Sequence, residues 1–363
     1  MAAHDFSPEL ARYGLSADRL DELFEAADGR VLGRIIRVER GESDVVTEAG
    51  PVRAVSDSLR AQSDLAPVTG DWVHLVDDPE VGWRIDEIVE RQRTLSRRDP
   101  GEQNIEQVLV ANVDRVLITQ ALDRPLRPGR IERFLVLAWD SGAEPAVLLT
   151  KSDVADADEV AEVRAVVEAL APGIEVVALS AVEGADRDDG IAEQLRRLVP
   201  AGVTAVLVGE SGAGKSTLVN RLLGHEAQAT GDVRDADGAG RHTTITRDLI
   251  PLPDAGLIID TPGIRAVGIW DAEDALRRVF GDVIELAGGC RFNDCQHGVE
   301  PGCAVQAAVE ASQLDARRLG RFVGMRAELI EQAEREAERA RRADSGRRRR
   351  GGGKGGGRKK RRR

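Results

Sequence analysis

A chain of 363 residues that is 42% hydrophobic has room for two or three packed domains. No stretch of about 20 apolar residues runs through it, so no membrane-spanning helix is expected. The net charge of −12 hides an asymmetry: residues 341–363 hold thirteen Lys and Arg against one Asp, about +12, which leaves about −24 on the other 340. A basic end on an acidic body reads either as a tail that meets a polyanion or as a solvated tail without a specific partner. Residues 1–10 carry Asp5 and Glu9 and no apolar core of a secretory leader. The three cysteines cluster between Cys290 and Cys303, an odd set that argues against a disulfide framework. A reducing, cytoplasmic setting is the expectation.

Residues 1–28 read as an N-terminal extension with helical patterning. Residues 29–98 then carry five short β-like runs, Val31–Val38, Asp44–Thr47, Val52–Val55, Asp71–Val76 and Trp83–Val89, separated by turn sequences. That spacing predicts a small barrel of OB type, although an SH3-like barrel would read much the same. Its aromatics are Trp72 and Trp83, which limits base stacking. Arg30, Arg34, Arg37 and Arg40, with Arg91, Arg93, Arg97 and Arg98, are either phosphate contacts or solvated strand charges.

Residues 99–270 change to an α/β rhythm. Apolar runs at Val113–Thr119, Ala146–Leu149, Val176–Leu179, Val203–Val208 and Leu257–Ile259 have the length of buried parallel strands. Helical patterns at 129–141, 157–171, 190–198 and 215–223 alternate with them, which predicts a doubly wound, mostly parallel sheet whose ligand sits at the strands' carboxyl ends. From 271 to 340 the pattern is helical around a Cys/His cluster, with an exposed helix over 326–342. Residues 341–363 form a basic tail, of Gly/Arg/Lys low complexity from Arg347, and are expected to be disordered.

Gly209-Glu210-Ser211-Gly212-Ala213-Gly214-Lys215-Ser216-Thr217 has the phosphate-loop spacing, with an apolar strand before it and a helical run after it. Glycines let the backbone N–H groups wrap a phosphate, and the helix N-terminus adds its dipole. Lys215 is expected on the β- and γ-phosphates and the Ser216 hydroxyl on Mg²⁺. Asp260-Thr261-Pro262-Gly263 ends the strand Leu257–Ile259. There Asp260 can hold Mg²⁺, and the Gly263 N–H can meet the γ-phosphate.

These motifs identify a nucleoside triphosphate but not its base. Thr150-Lys151-Ser152-Asp153 follows the strand Ala146–Leu149 and has the [N/T]KxD pattern of guanine-nucleotide-binding proteins. The Asp153 carboxylate can accept from both the ring N1–H and the exocyclic amine of guanine; adenine lacks that donor pair. Ser180-Ala181 ends the next strand and matches the SA element, whose backbone contacts the guanine O6. Here the base-recognition elements precede the phosphate loop, the reverse of ordinary GTPases and the order of a circular permutation.

Gly240-Arg241-His242-Thr243-Thr244 lies between the phosphate loop and Asp260, where a threonine can close over Mg²⁺. Ile264 stands where many GTPases place a water-orienting glutamine. His242 is the nearest replacement in sequence, or else an exposed loop histidine. Cys290-x4-Cys295-x-His297-x5-Cys303 supplies three thiols and one imidazole, the donor set of a structural, tetrahedral Zn²⁺.

In that order the motifs TKSD, SA, GESGAGKST, GRHTT, DTPG and C-x4-C-x-H-x5-C resemble the small ribosomal subunit biogenesis GTPases, the circularly permuted RsgA (YjeQ) type, over about residues 29–320. The resemblance implies an OB-fold barrel, a permuted GTPase domain and a helical zinc-binding domain. It implies a late role in maturation of the 30S subunit, contact with 16S rRNA, and GTP hydrolysis stimulated by that subunit. It also assigns His242 as the catalytic residue and Thr244 as a Mg²⁺ ligand. A monomer that binds no membrane is a separate expectation. The Gly/Arg/Lys tail does not belong to that pattern. Two other readings remain: a GTP switch for a non-ribosomal partner, and a P-loop ATPase or kinase, which TKSD and SA oppose.

Overall fold

The computed structural model of the protein describes residues 7–25, 27–56, 65–98, 106–181, 190–223, 247–261 and 272–351. The chain divides into two compact units, residues 1–268 and 269–363. Among the described residues, no helix is long and apolar enough to cross a membrane.

The first unit begins with two short helices, α1 (Pro8–Arg12) and α2 (Ala17–Glu25). Ser7 caps α1 by accepting from the Leu10 N–H, with Pro8 at the first helical position, where its missing N–H costs nothing. Five strands follow: β1 (Val31–Val38), β2 (Glu42–Thr47), β3 (Gly50–Val55), β4 (Trp72–Asp78) and β5 (Gly82–Ile88). They close as a barrel in the order β1-β2-β3-β5-β4, with β1 returning to pair β4 and β3 meeting β5 in parallel. This parallel closure makes the barrel OB-like. Alternation along the strands turns Ile35, Val45, Ala54, Val73, Leu75 and Ile85 inward. A second cluster, Leu10, Leu15, Leu23, Leu32, Val46 and Trp72, seats the N-terminal helices on the outside of the barrel. Gly33 is needed where strands crowd, because a Cβ there would lie 2.5 Å from Val45 Cγ1.

Two strands that the sequence pattern did not reveal, β6 (Thr94–Arg98) and β7 (Glu106–Ala111), form a separate antiparallel pair. They mix charge with apolar residues and lack a clean period. The main sheet comprises β8 (Arg115–Ala121), β9 (Glu144–Thr150), β10 (Glu175–Leu179), β11 (Thr204–Gly209), β12 (Asp248–Pro251) and β13 (Leu257–Asp260). Its order is β10-β9-β8-β11-β13-β12, parallel throughout except for β12. β12 is a third missed strand; four residues long and begun by a charge, it offers no periodic signal. The helices α3 (Pro128–Asp140), α4 (Ala157–Leu170), α5 (Gly190–Leu198) and α6 (Lys215–Leu223) alternate with the parallel strands, as the apolar runs predict. A capping box of Asp156 with Glu159 starts α4.

The barrel is fixed to this sheet by a buried arginine. Arg34 of β1 is 2% exposed and lies 5.1 Å over the Trp72 ring. Its guanidinium donates to Thr204 Oγ1 at 3.0 Å on β11 and to the carbonyls of Asn112, Gly70 and Tyr13. Burial pulls its pKa down to about 10, still well above neutrality. Arg34 is therefore no RNA contact. Arg30 pairs with Asp86 and Glu87, Arg91 with Asp71, and Arg93 with Asp114, so these charges too are engaged within the fold.

The second unit holds α7 (Glu273–Val279), α8 (Gly281–Ala287), α9 (Ala304–Glu310) and α10 (Ala316–Gly351). Phe280 and Phe322 pack with ring centroids 5.5 Å apart, and Arg318 stacks on Phe280 while pairing with Asp282 at 2.6 Å. Helix α10 overturns part of the sequence reading. It begins ten residues before the predicted start at 326 and covers 341–351, the first part of the tail that was expected to be disordered. Ala, Glu and Arg dominate its span, and the run contains no proline. Its three internal glycines, Gly320, Gly324 and Gly346, cost about 1 kcal/mol each against those strong helix formers. The remaining tail, 352–363, lies outside the described residues.

Candidate functional site

The sheet register carries the motifs to one edge. Thr150 ends β9 opposite Leu179 of β10, and Gly209 ends β11 opposite Thr119 of β8. Asp260 ends β13 beside β11. The carboxyl edge therefore reads, in spatial order, Ser180, Thr150–Asp153, the loop after β8, the phosphate loop and Asp260.

The phosphate loop leaves a fully buried strand and enters α6 at Lys215. Gly209, Gly212 and Gly214 have φ of 146°, 73° and 82°. A Cβ on Gly209 would meet Thr119 Oγ1 at 2.1 Å, so both the backbone angle and the space demand glycine. Lys215 Nζ donates to the carbonyls of Gly209 (3.0 Å) and Glu210 (2.6 Å), which draws the ammonium across the mouth of its own loop.

The base-recognition segment is joined to that loop directly. Thr150 is buried, and its Oγ1 donates to the Ala213 carbonyl at 2.7 Å. Lys151 adopts a left-handed φ of 58°, after which Ser152–Val154 form a single 3₁₀ turn. That turn presents the Asp153 carboxylate, which accepts from Ser180 Oγ at 2.5 Å. Ala181 follows Ser180 at the edge. The two segments expected to read guanine are thus tied to each other.

Sequence reasoning missed the loop after β8. Asp123 pairs with Lys151 at 2.5 Å, and Arg124 donates to the Ser211 and Gly212 carbonyls behind the phosphate loop. Arg124 and Lys151 hold the Asp123 carboxyl down at a pKa of about 2. The carboxylate of Glu210 is met by Arg124, Arg127 and Arg130. This dipeptide links the base side to the phosphate side, and its only sequence signal was its place at the end of an apolar strand.

Asp260 is 3% exposed, and burial raises its carboxyl pKa while the Lys215 ammonium opposes that rise. A buried carboxylate at the end of β13 and a serine hydroxyl in the first turn of the helix that follows the neighbouring strand β11 are hard-oxygen donors of the kind that suits Mg²⁺. Thr261 Oγ1 donates to the Leu207 carbonyl at 2.8 Å, which fixes the turn after Asp260 to the phosphate-loop strand. His242, Thr244 and Gly263 lie outside the described residues.

In the second unit, the ligand atoms of Cys290, Cys295, His297 and Cys303 all lie within 4.8 Å of one another. Cys290 Sγ and Cys303 Sγ are 3.8 Å apart, and each is 3.7 Å from His297 Nδ1. A tetrahedron with metal–sulfur bonds of about 2.3 Å has sulfur–sulfur edges of roughly 3.8 Å, so the spacing of Cys290, His297 and Cys303 suits Zn²⁺, with Cys295 as the fourth donor. All three cysteines are free thiols. Burial lowers the His297 pKa and so favours the neutral imidazole that ligates metal.

Residues 88–270 match the RsgA GTPase family. The chain is similar to the small ribosomal subunit biogenesis GTPase RsgA of Streptomyces avermitilis, at 43% identity over 321 residues, covering 87% of this chain and 84% of that protein. It is 44% identical to the protein of that name from Streptomyces coelicolor over 322 residues, covering 88% and 86%. Among solved structures it is similar to YjeQ from Thermotoga maritima, with a TM-score of 0.58, 26% identity, and 83% of this chain and 99% of that one covered. It also shares the fold of YloQ, a circularly permuted GTPase, with a TM-score of 0.57, 23% identity, and 84% and 96% covered. The family match takes in the phosphate loop and both segments joined to it, the similarity to the two Streptomyces proteins runs along most of either chain, and the chain belongs to the RsgA GTPase family.

Proposed function

We propose that this protein is a GTP hydrolase that acts in biogenesis of the small ribosomal subunit. The observation that carries this reading is the joined carboxyl edge, where Asp153 and Ser180 stand ready for guanine and Thr150 touches the phosphate loop. GTP is the nucleotide, with Mg²⁺ held by Ser216 and Asp260 and, from the sequence pattern, by Thr244. Lys151, Ser152, Asp153, Ser180 and Ala181 surround the base, while residues 209–217 and Gly263 surround the phosphates. His242 orients the attacking water. A structural Zn²⁺ on Cys290, Cys295, His297 and Cys303 organises the loop between α8 and α9.

In this reading the OB barrel (29–98) and the zinc-binding segment (271–340) flank the GTPase domain (99–270) and contact 16S rRNA. The protein acts as a cytoplasmic monomer on a late 30S particle. That particle stimulates hydrolysis, and hydrolysis releases the protein. Support comes from the family membership and from the linear connection of Asp260 to the second unit.

Two measurements test the proposal. Competition against a labelled GDP should favour GTP strongly over ATP; equal competition would reject the guanine reading. In a sucrose gradient of cell lysate with a non-hydrolysable GTP analogue, the protein should co-migrate with the small subunit. Migration with a different complex would instead identify a non-ribosomal switch.

A further inference from the structure

Asp248, the first residue of β12, lies directly opposite Asp260, the last residue of β13. In an antiparallel pair, side chains so placed leave the same face with Cβ atoms roughly 5 Å apart, and like charges there repel. The charge of Asp248 is met from the barrel. Arg37 of β1 closes a two-pronged pair, Nε to Oδ1 at 2.6 Å and Nη2 to Oδ2 at 2.7 Å. A second tie reaches the same strand end, where Thr69 Oγ1 donates to the Arg247 carbonyl at 2.8 Å. A barrel guanidinium thus stands one carboxylate away from the residue assigned to Mg²⁺. The Arg37 side chain is 41% exposed and that of Asp248 21%. Pairs this open add little to stability, so what distinguishes this one is where its charge lies.

We propose that Arg37 and Asp248 form an electrostatic relay through which the barrel sets the charge beside Asp260, which makes Arg37 a positioning residue for binding of the Mg²⁺–nucleotide complex. The relay rests on the reading of Asp260 as the Mg²⁺ carboxylate. With Arg37 in place, Asp248 is neutralised and Asp260 meets the cation alone. With Arg37 withdrawn, Asp248 adds a second negative charge near the cation. An anion that engages the exposed edge of Arg37 has the same effect as removing it.

The test is titration of Mn²⁺ into the full-length GDP complex, read by electron paramagnetic resonance as free against bound ion. Arg37→Ala should bind Mn²⁺ about threefold more tightly, and Asp248→Asn about threefold more weakly because an unpaired Arg37 remains, given charges of this separation in partly screened surroundings. A purely mechanical tie between barrel and sheet is lost in both variants and would move both the same way. The charge-swapped variant Arg37→Asp with Asp248→Arg restores a neutral pair of reversed polarity and should bind Mn²⁺ more weakly than wild type, since its positive end now lies nearer the cation. Arg37→Gln, which keeps most of the stem, gives the sign should Arg37→Ala loosen the barrel. Shifts in the same direction, or none, would overturn the relay. Asp260→Asn separates the two readings: intact Mn²⁺ binding there would sink the Mg²⁺ assignment, whereas its loss alongside unresponsive Arg37 and Asp248 variants would sink the relay alone.

Discussion

Ser180 Oγ donates to the Asp153 carboxylate at 2.5 Å, joining two segments 27 residues apart in sequence. The bond orients the carboxylate and leaves its remaining lone pairs for two N–H donors of a base. Asp153→Asn replaces an acceptor with a donor facing a donor, and should lower GTP affinity about a hundredfold, or ~3 kcal/mol. Ser180→Ala only frees the carboxylate to turn and should cost about fivefold. Competition against a fluorescent GDP measures both. An Asp153→Asn protein that still binds GTP within tenfold of wild type would remove this residue from base recognition.

Asp123 ties Lys151 to Arg124, and its folded-state pKa is depressed to about 2. A depressed carboxyl pKa gives stability that is present above the ordinary value of about 3.9 and is lost as pH falls through the folded value. The melting temperature of wild type should therefore exceed that of Asp123→Asn by a constant amount above about pH 5. The gap should narrow between pH 4 and pH 2. A gap that is flat across this range would show the ion pairs to be energetically silent.

Arg34 spans the barrel and β11, and its loss strands Thr204 Oγ1 and the carbonyls of Asn112 and Tyr13 in a dry interface. Arg34→Met should destabilise the protein by about 3 kcal/mol in urea unfolding. Arg34→Lys should recover little, since a single ammonium cannot span acceptors on four segments.

Cys303 has two roles that one substitution separates. It caps α9 by accepting from the Gln306 N–H, and it belongs to the metal cluster. Serine preserves a cap but not a soft thiolate ligand. Cys303→Ser should bind less than half the zinc of wild type by metal analysis, and a strong chelator should lower the melting temperature of wild type more than that of the variant. An unchanged zinc content would place the metal elsewhere.

The parts of the site legible in the sequence were those whose chemistry is local. The phosphate loop, Thr150–Asp153 and the Cys/His cluster each declare themselves within fourteen residues, and strand–helix alternation then dictates which edge the first two share. The parts that escaped depend on partners distant in sequence. Arg34 and Arg37 sit in one strand with similar spacing to Arg30, yet one is entombed, one faces Asp248 and one pairs with Asp86 and Glu87. Nothing in the local pattern distinguishes these fates, because each is set by what the closed barrel brings alongside. The strand β12 escaped for the complementary reason: four edge residues paired on one side need no periodic pattern of their own.

Helix α10 sets a length scale for the basic end of the chain. Its 36 residues, at 1.5 Å each, make a rod about 54 Å long. The thirteen lysines and arginines that begin at Arg341 start roughly 37 Å from Ala316 along that rod. Arg326 of the same helix reaches the metal cluster, its Nη1 3.4 Å from the Cys295 carbonyl, so the basic run that starts at Arg341 begins fifteen residues, about 22 Å, further along the rod.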